Sequence, residues 1–189
     1  MNLLDIFTQP FLARSLIVGL ILSVSCGIIG SFIVVKKISS ISGGLAHAAF
    51  GGIGLGFILN INPMIGAVIF CILCAFILGV SYRRKISGFE TLISILWSTG
   101  MGLGMVFIAL TPRYTPDPAS YLFGNIVLVP EAYIYFALAL NILILCSMKV
   151  VFKELHAISF DEEFAEISGL NVDLFFHYLL LLISLTIVV

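Results

Sequence analysis

Long apolar stretches separated by short polar breaks dominate the sequence. A stretch of roughly 20 apolar residues can cross a bilayer as an α-helix, and the chain has material for about six of them. The breaks place the predicted spans at about residues 11–35, 38–59, 64–80, 91–110, 132–148 and 174–189. The pattern therefore predicts an all-α fold, a polytopic transmembrane helical bundle that forms a single domain over residues 1–189.

Several segments outside these spans have other predicted structures. Residues 1–7 carry apolar side chains at helical spacing and suit a short helix at the membrane surface. Residues 60–63, Asn-Ile-Asn-Pro, predict a tight turn. Residues 111–120 hold three of the six prolines and predict an irregular loop. Residues 121–130 are too few to cross a membrane, so we expect a re-entrant or interfacial segment there.

The composition supports the membrane assignment. The chain is 61% hydrophobic and 10% charged, with a mean hydropathy of +1.21. Soluble domains are about 45–50% apolar and about 25% charged, so this composition argues against a water-soluble fold. The N-terminus has neither a basic leader nor a small-residue cleavage site, and we expect it to be retained. Because the sequence is still apolar at Val189, we expect the domain to be C-terminally incomplete.

Basic residues indicate the orientation of the bundle. Cytoplasmic loops of membrane proteins carry an excess of Lys and Arg. Most basic residues here follow odd-numbered spans, namely Lys36, Lys37, Arg83, Arg84, Lys85, Lys149 and Lys153. Those loops are predicted to be cytoplasmic, which places the N-terminus outside a plasma or inner membrane. The formal net charge of −1 gives no indication of nucleic-acid binding.

His47 is the first candidate functional residue. It lies ten residues after Lys37, so a rise of about 1.5 Å per residue places it roughly 15 Å from the cytoplasmic face, near the middle of the bilayer. An ionisable group is costly at that depth, and neutral imidazole is a common ligand of first-row metals. Two interpretations stay equally open: a ligand lining a metal pathway, or a packing residue hydrogen-bonded to a neighbouring helix.

Residues 159–170 are the second candidate, because they have the pattern of a short cytoplasmic helix between the fifth and sixth spans. Ser159 followed by Glu162 fits a capping box, and the acidic residues of the first turn favour the positive end of the helix dipole. Gly169 can supply the left-handed residue that ends the helix. The sequence therefore predicts a helix that begins after Ser159 and ends near Gly169.

This short helix is amphipathic, since Phe160, Phe164 and Ile167 recur on one face. One interpretation is a docking element that fits a groove on a soluble partner; the other is a helix lying on the bilayer. The acidic residues favour docking, because anionic lipid headgroups would repel them. The residues expected to bind the partner are Phe160, Asp161, Glu162, Glu163, Phe164 and Gly169.

The remaining polar and sulfur-bearing residues are interpreted mainly as structural. Cysteines in apolar runs usually pack as small hydrophobes, and we read the Cys71–Cys74 pair in that way. His156, in a polar loop after span five, and His177, at the start of span six, have no carboxylates at ligand spacing.

Two further positions and one absent motif bear on function. Asn125 and the Trp97-Ser98 pair could line a pathway or pack between helices. The sequence contains no Gly-rich phosphate-binding loop with its Lys, so the chain is predicted to be no ATPase and no enzyme.

Three segments, ISGGLAHAAFGGIGLG, YLFGNIVLV and FDEEFAEISGLNV, resemble the zinc/manganese permeases of binding-protein-dependent ABC transporters in order and spacing. The opening QPFLARSLIVGLILSVSCGIIGSFIVVKKISSIS is also similar to that family's first span and turn. The whole chain resembles about the first two thirds of such a permease. The resemblance therefore predicts the metal-type ABC permease fold.

The resemblance also implies partners and a site. It implies a homodimer in the membrane, a separate ABC ATPase docked on the FDEEFA helix, and an extracellular or periplasmic metal-binding protein. His47 matches the family position that contacts metal, and the transported ion would be zinc first, with manganese or iron as alternatives. The family usually has Asp four residues earlier, where this chain has Gly43, and a hard oxygen ligand is thereby absent.

The function predicted from these features is that of a permease subunit that imports transition-metal ions with energy from ATP hydrolysed in a partner subunit. Two alternatives from other classes are a secondary transporter driven by an ion gradient and a membrane assembly protein without transport. A secondary transporter would need membrane carboxylates or an inverted repeat, and neither is evident in the sequence. Co-purification of an ATPase would separate the importer from both alternatives.

Overall fold

The structure is a computed structural model that describes residues 10–83, 88–112 and 131–188. Within these ranges the chain is helical apart from short turns. In chain order the helices are α1 (Pro10–Val35), α2 (Ser40–Leu59), α3 (Pro63–Arg83), α4 (Phe89–Leu110), α5 (Glu131–Phe160), α6 (Glu162–Ile167) and α7 (Val172–Val188).

Five of these helices, α1 to α5, are long and apolar enough to cross a membrane, and α7 is a shorter apolar helix of 17 residues. Large apolar side chains such as Leu20, Phe76 and Val150 lie exposed on the outside of the bundle, where lipid would cover them. The predicted all-α membrane bundle is therefore confirmed. The predicted surface helix at residues 1–7 and most of residues 111–130 lie outside the described residues.

Helix α5 is longer than the sequence predicted. Span five was expected to end near Met148, but α5 continues to Phe160. The extension has an inner face of its own, because Leu155 and Ile158 are fully buried. Burial of these two side chains stabilises the added turns although the hydropathy has already fallen. The prediction that His156 lies in a polar loop is wrong, since it lies in this helix.

The turn between α2 and α3 forms where the sequence predicted it. Asn60 has a φ of +58°, a left-handed conformation that Asn adopts more readily than most residues. The Ile61 amide donates to the Gly56 carbonyl at 3.0 Å, and the Asn62 side chain accepts from the Met64 amide at 2.9 Å. These bonds close α2 and begin α3 in an antiparallel direction.

Helix α2 lies between α3 and α4, and glycines allow the close contact on both sides. A Cβ atom added to Gly52 would lie 2.3 Å from the Gly66 carbonyl oxygen of α3. A Cβ atom added to Gly54 would lie 2.6 Å from the Gly104 carbonyl oxygen of α4. Small residues at helix interfaces are the usual means of close packing in membranes. The arrangement fixes the position of α2, which carries His47.

Helix α7 packs against α3 and α5, and α1 packs against α5. Residues Leu179 and Leu182 of α7 are fully buried in this contact. The C-terminal ends of α1, α3 and α5 lie at the same end of the bundle, as the alternation of basic residues predicted. Lys36 after α1 and Tyr82 of α3 both contact Glu162, which lies just beyond the end of α5.

Candidate metal pathway and coupling surface

His47 lies near the middle of α2, and its ring is partly exposed. The imidazole stacks on the indole of Trp97 in α4, with ring centroids 4.5 Å apart and planes 9° from parallel. The Trp97 indole N–H in turn donates to the sulfur of Met101 at 3.3 Å. Trp97 was a candidate pathway residue in the sequence, but no sequence signal connected it with a histidine 50 positions away.

The geometry around His47 bears on both interpretations of its role. The Trp97 stack is a packing contact, yet the Nδ1 atom of His47 is buried and has no hydrogen-bond partner in the part of the chain that the structure describes. A buried imidazole nitrogen without a partner is unfavourable, so packing alone does not account for this side chain. Within residues 10–83, 88–112 and 131–188, no three His, Cys, Asp or Glu side chains lie close enough to hold a metal ion.

Gly43 lies one helical turn before His47 and faces the same indole. A Cβ atom added there would lie 3.6 Å from Cζ3 of Trp97, an ordinary van der Waals distance. The structure therefore has room for a side chain at position 43. Because glycine has none, the Trp97 ring is the group that faces this position. The absence of a carboxylate at this position is a property of the sequence and not a result of crowding.

Other residues considered from the sequence have structural contacts. The His177 ring packs directly against Gly79, where an added Cβ atom would lie 2.3 Å from the ring. Its Nδ1 atom also lies 2.7 Å from the Asp173 carbonyl oxygen, which supports the structural interpretation. Cys71 and Cys74 are free and buried, as the packing interpretation predicted. Asn125 lies outside the described residues.

Asn141 is a buried polar residue that the sequence analysis missed. It lies in α5, and its side-chain amide donates to the Ile21 carbonyl of α1 at 2.5 Å. The bond joins two helices within the membrane region, where polar side chains commonly serve as such links. An isolated Asn in an apolar run is the signal that could have identified it.

Helix α6 begins differently from the prediction. Ser159 is not the N-cap, because α5 continues through it and its hydroxyl donates to the Leu155 carbonyl at 2.6 Å. Asp161 is the N-cap instead: its backbone is extended, and its carboxylate accepts from the Phe164 amide at 2.9 Å. An Asp cap satisfies a free amide and places negative charge at the positive end of the helix.

The predicted end of α6 is confirmed. Gly169 has a φ of +87°, and the Leu170 amide donates to the Ala165 carbonyl at 3.0 Å. Glycine adopts this conformation at little cost, so it closes the helix and directs the chain into α7.

The outer face of α6 is defined here as Phe160, the last residue of α5, together with Phe164 and Ile167 of α6, and all three side chains are exposed. The exposed fractions are 71%, 67% and 85% respectively. The opposite side of the helix packs on the bundle through Ala165, which is fully buried. Asp161 and Glu163 are exposed beside the outer face. The helix and the last residue of α5 therefore present three large apolar side chains beside acidic residues.

Glu162 lies on the inner side of α6, although the sequence analysis grouped it with the docking residues. Its Oε1 atom forms a salt bridge with the ammonium of Lys36 at the end of α1. The Tyr82 hydroxyl at the end of α3 donates to the same oxygen at 2.5 Å. Only 7% of the Lys36 side chain is exposed. These contacts bring the ends of α1 and α3 to the start of α6.

Comparison with known proteins identifies the family. Residues 8–189 match the ABC 3 transport family. An uncharacterized membrane protein of Synechocystis is 41% identical over 178 residues, covering 94% of this chain and 63% of the relative. A probable metal transport system membrane protein of Chlamydia muridarum is 35% identical, covering 95% and 64%. The manganese import system permease protein ScaB of Streptococcus gordonii is 34% identical, covering 92% and 62%.

A solved structure is also similar. The chain superposes on PsaBC from Streptococcus pneumoniae, solved in complex with Fab, with a TM-score of 0.81 and 27% sequence identity. The match covers 99% of this chain and 69% of the solved chain. The chain spans somewhat less than two thirds of the length of the three curated relatives named above. It is thus a multi-pass membrane protein, and on the match over residues 8–189 it belongs to the ABC 3 transport family.

Proposed function

We propose that this chain is the membrane permease part of an ATP-driven importer of transition-metal ions. Membership of the ABC 3 transport family and the metal-transport names of several relatives support this function. A transport subunit without enzymatic activity of its own also agrees with the family. The observation that carries the proposal is the exposed outer face of α6, because it supplies a surface through which a separate ATPase can act.

The composition of this face favours a protein partner. Phe160, Phe164 and Ile167 bury little apolar area in the chain itself, while the acidic Asp161 and Glu163 lie beside them. Aromatic anchors surrounded by polar groups are typical of the energetically important part of a protein interface. A lipid surface is a poorer match, because anionic headgroups repel the carboxylates. We infer that a groove on a cytoplasmic ABC ATPase covers the outer face of α6.

The proposed transport path passes His47. The partly exposed imidazole of His47 supplies one nitrogen ligand, and further ligands would come from the second permease of a homodimer or from the ion's own water shell. The resemblance of the sequence to zinc/manganese permeases implied zinc first. Several relatives have names that specify manganese transport, so we propose manganese as the ion to test first. An external metal-binding protein would deliver it to the side where the N-terminus lies.

Docking on α6 is tested by truncating its outer face. Phe164→Ala and Ile167→Ala should each weaken co-purification of the ATPase, because losing a central apolar anchor costs about 2 kcal/mol, or roughly thirtyfold in affinity. Phe76→Ala is the matched control, since Phe76 is an exposed aromatic residue of α3 that lies outside α6. ATPase binding that survives both α6 substitutions would exclude this docking surface.

The path is tested separately by metal uptake. His47→Ala and His47→Gln should both reduce manganese accumulation while leaving ATPase binding unchanged, because only the imidazole ligand is removed. Ser42→Ala, an exposed position on the same helix, serves as the control. Wild-type accumulation in both His47 variants would favour the packing interpretation. Uptake that persists after deletion of the ATPase would favour a secondary transporter instead.

A further inference from the structure

Glu162 connects α6 to the spans of the bundle through two different groups. The Lys36 ammonium of α1 forms a salt bridge with Oε1 of Glu162, and the Tyr82 hydroxyl of α3 donates to that same oxygen. We call these three side chains the Glu162 cluster. Both partners reach Glu162 from the last residues of their helices or just beyond, so one carboxylate joins three elements distant in sequence.

The partners of Glu162 also contact the other helices at this end. The Lys36 ammonium donates to the Ile158 carbonyl of α5 at 2.6 Å. The Tyr82 ring stacks on Phe176 of α7, with centroids 3.7 Å apart, and the Lys36 ammonium lies 5.6 Å from the same Phe176 centroid. Phe176 itself is buried. The Glu162 cluster therefore contacts α1, α3, α5 and α7 within a few ångströms of the start of α6.

The physical character of these contacts makes the connection stiff. Hydrogen bonds in which one partner is charged are roughly twice as strong as neutral ones. Removing Glu162 would leave the buried Lys36 ammonium without its counter-charge, so the pair resists separation. The Lys36 side chain is 7% exposed and the Glu162 side chain 37%, so solvent screens the ion pair only from the Glu162 side. A displacement of α6 would carry the ends of α1 and α3 with it.

Glu162 and the outer face of α6 point in different directions. Phe164 and Ile167 lie exposed, whereas Glu162 contacts the bundle from the same two-turn helix. Helix α3, which ends beside Tyr82, packs closely on α2 at Gly52. Movement received on the outer face can therefore pass through the Glu162 cluster into α3 and from there to the helix that carries His47.

We propose that Glu162 is a positioning residue that transmits movement of α6 to α1 and α3, and that it is not a contact residue for the ATPase. This inference rests on the proposed function, since it presumes that an ATPase moves α6. It assigns different roles to neighbouring residues of one short helix. The outer face binds the partner, and Glu162 relays the displacement.

The experiment compares binding with coupling in the full permease, reconstituted with its ATPase in lipid vesicles. Glu162→Gln should leave the amount of bound ATPase unchanged but lower the manganese transported per ATP hydrolysed about fivefold or more, the lower range of coupling between sites. Lys36→Met should have the same effect, and the double variant should be no worse than either single one. Glu166→Gln, an exposed carboxylate on α6, is the matched control and should behave as wild type.

Exchanging the two charges tests whether the ion pair itself is needed, because a residue that only fills space would not recover transport per ATP when the charges are swapped. Lys36→Glu combined with Glu162→Lys should recover part of the lost coupling, since the ion pair re-forms with reversed polarity. Tyr82→Phe removes only a hydroxyl and should lower coupling to a smaller extent. If Glu162→Gln does not accumulate in the membrane, the Tyr82→Phe result decides: reduced transport per ATP supports the relay, and an unchanged value overturns it.

The outcomes distinguish this inference from the proposed function. If Phe164→Ala releases the ATPase while Glu162→Gln transports normally per ATP, docking stands and the relay is overturned. If Glu162→Gln releases the ATPase as Phe164→Ala does, Glu162 is a docking contact and the relay is again overturned. If Phe164→Ala retains the ATPase, the docking proposal itself fails.

Discussion

The close packing of α2 on α4 beside His47 leads to a prediction about Gly100. Gly100→Ala adds a methyl group at a position where the Cβ atom would lie 2.5 Å from the Cα atom of Ala48. Ala48 follows His47 directly, and Gly100 lies one turn after Trp97. The substitution should therefore push the two helices apart at the His47–Trp97 stack. Gly102→Ala is the matched control, because nothing lies within 4 Å of its added Cβ atom.

The size of the effect follows from the geometry. Carbon atoms in contact prefer separations of about 3.5–4.0 Å, so the helices must separate by on the order of 1 Å. Overpacking of this kind typically costs about 1–3 kcal/mol, and the clash is with backbone atoms that cannot rotate away. Replacing Gly by Ala within a helix contributes up to about 1 kcal/mol in the opposite direction at both positions. The difference between Gly100→Ala and Gly102→Ala should thus be about 1–3 kcal/mol.

Thermal unfolding in detergent measures this difference. Trp97 is the only tryptophan in the sequence, so intrinsic tryptophan fluorescence reports directly on the affected interface. For a chain of this length about 1 kcal/mol shifts the Tm by about 2–4 °C, so Gly100→Ala should melt several degrees below Gly102→Ala. Manganese uptake by Gly100→Ala should also fall. A Gly100→Ala Tm equal to or above that of Gly102→Ala would refute the close approach of α2 and α4.

Three further predictions concern metal choice, helix association and orientation. Gly43→Asp has space for its side chain 3.6 Å from Trp97 and adds a hard oxygen ligand one turn from His47. It should raise manganese uptake relative to zinc in a competition assay, and an unchanged ratio would contradict a metal path there. Asn141→Leu removes the hydrogen bond to the α1 backbone, which is worth about 0.6 kcal/mol on average in membranes, and should lower the Tm slightly; an unaltered Tm would show that the bond is not stabilising. Lys37→Cys, in a chain with its native cysteines replaced by Ala, should react with an impermeant maleimide only from the cytoplasmic side; labelling in intact cells would reverse the proposed topology.

The helices that span the membrane could largely be predicted from the sequence. Apolar length and the penalty for unsatisfied backbone groups in lipid leave few alternatives to helices in such stretches. The expected spans at 11–35, 38–59, 64–80 and 91–110 agree with α1 to α4 within about three residues. The left-handed residues Asn60 and Gly169 were also predictable, because few residue types adopt that conformation readily.

The end of α5 and the start of α6 show where local patterns are insufficient. Ser159 and Asp161 can each cap a helix, and a capping pattern by itself does not choose between them. The choice was made by Leu155 and Ile158, which are buried against the rest of the bundle and keep the chain helical through Phe160. The first backbone amides that lack an acceptor within a helix therefore follow Asp161, and Asp161 is the residue that can cap them.

Within the candidate site, the sequence determined which chemical groups are present, and the tertiary structure determined which of them meet. His47 was identifiable because an ionisable residue in an apolar span is costly. Its stacking on Trp97 was not, since the contact depends on how closely glycines allow α2 and α4 to approach. The sequence pattern around Glu162 likewise suggested an exposed residue on an amphipathic helix. Only folding brings Lys36, 126 positions away in the chain, to its carboxylate and turns it inward. Contacts of this kind arise from packing between helices, a property that hydropathy and spacing along one helix do not encode.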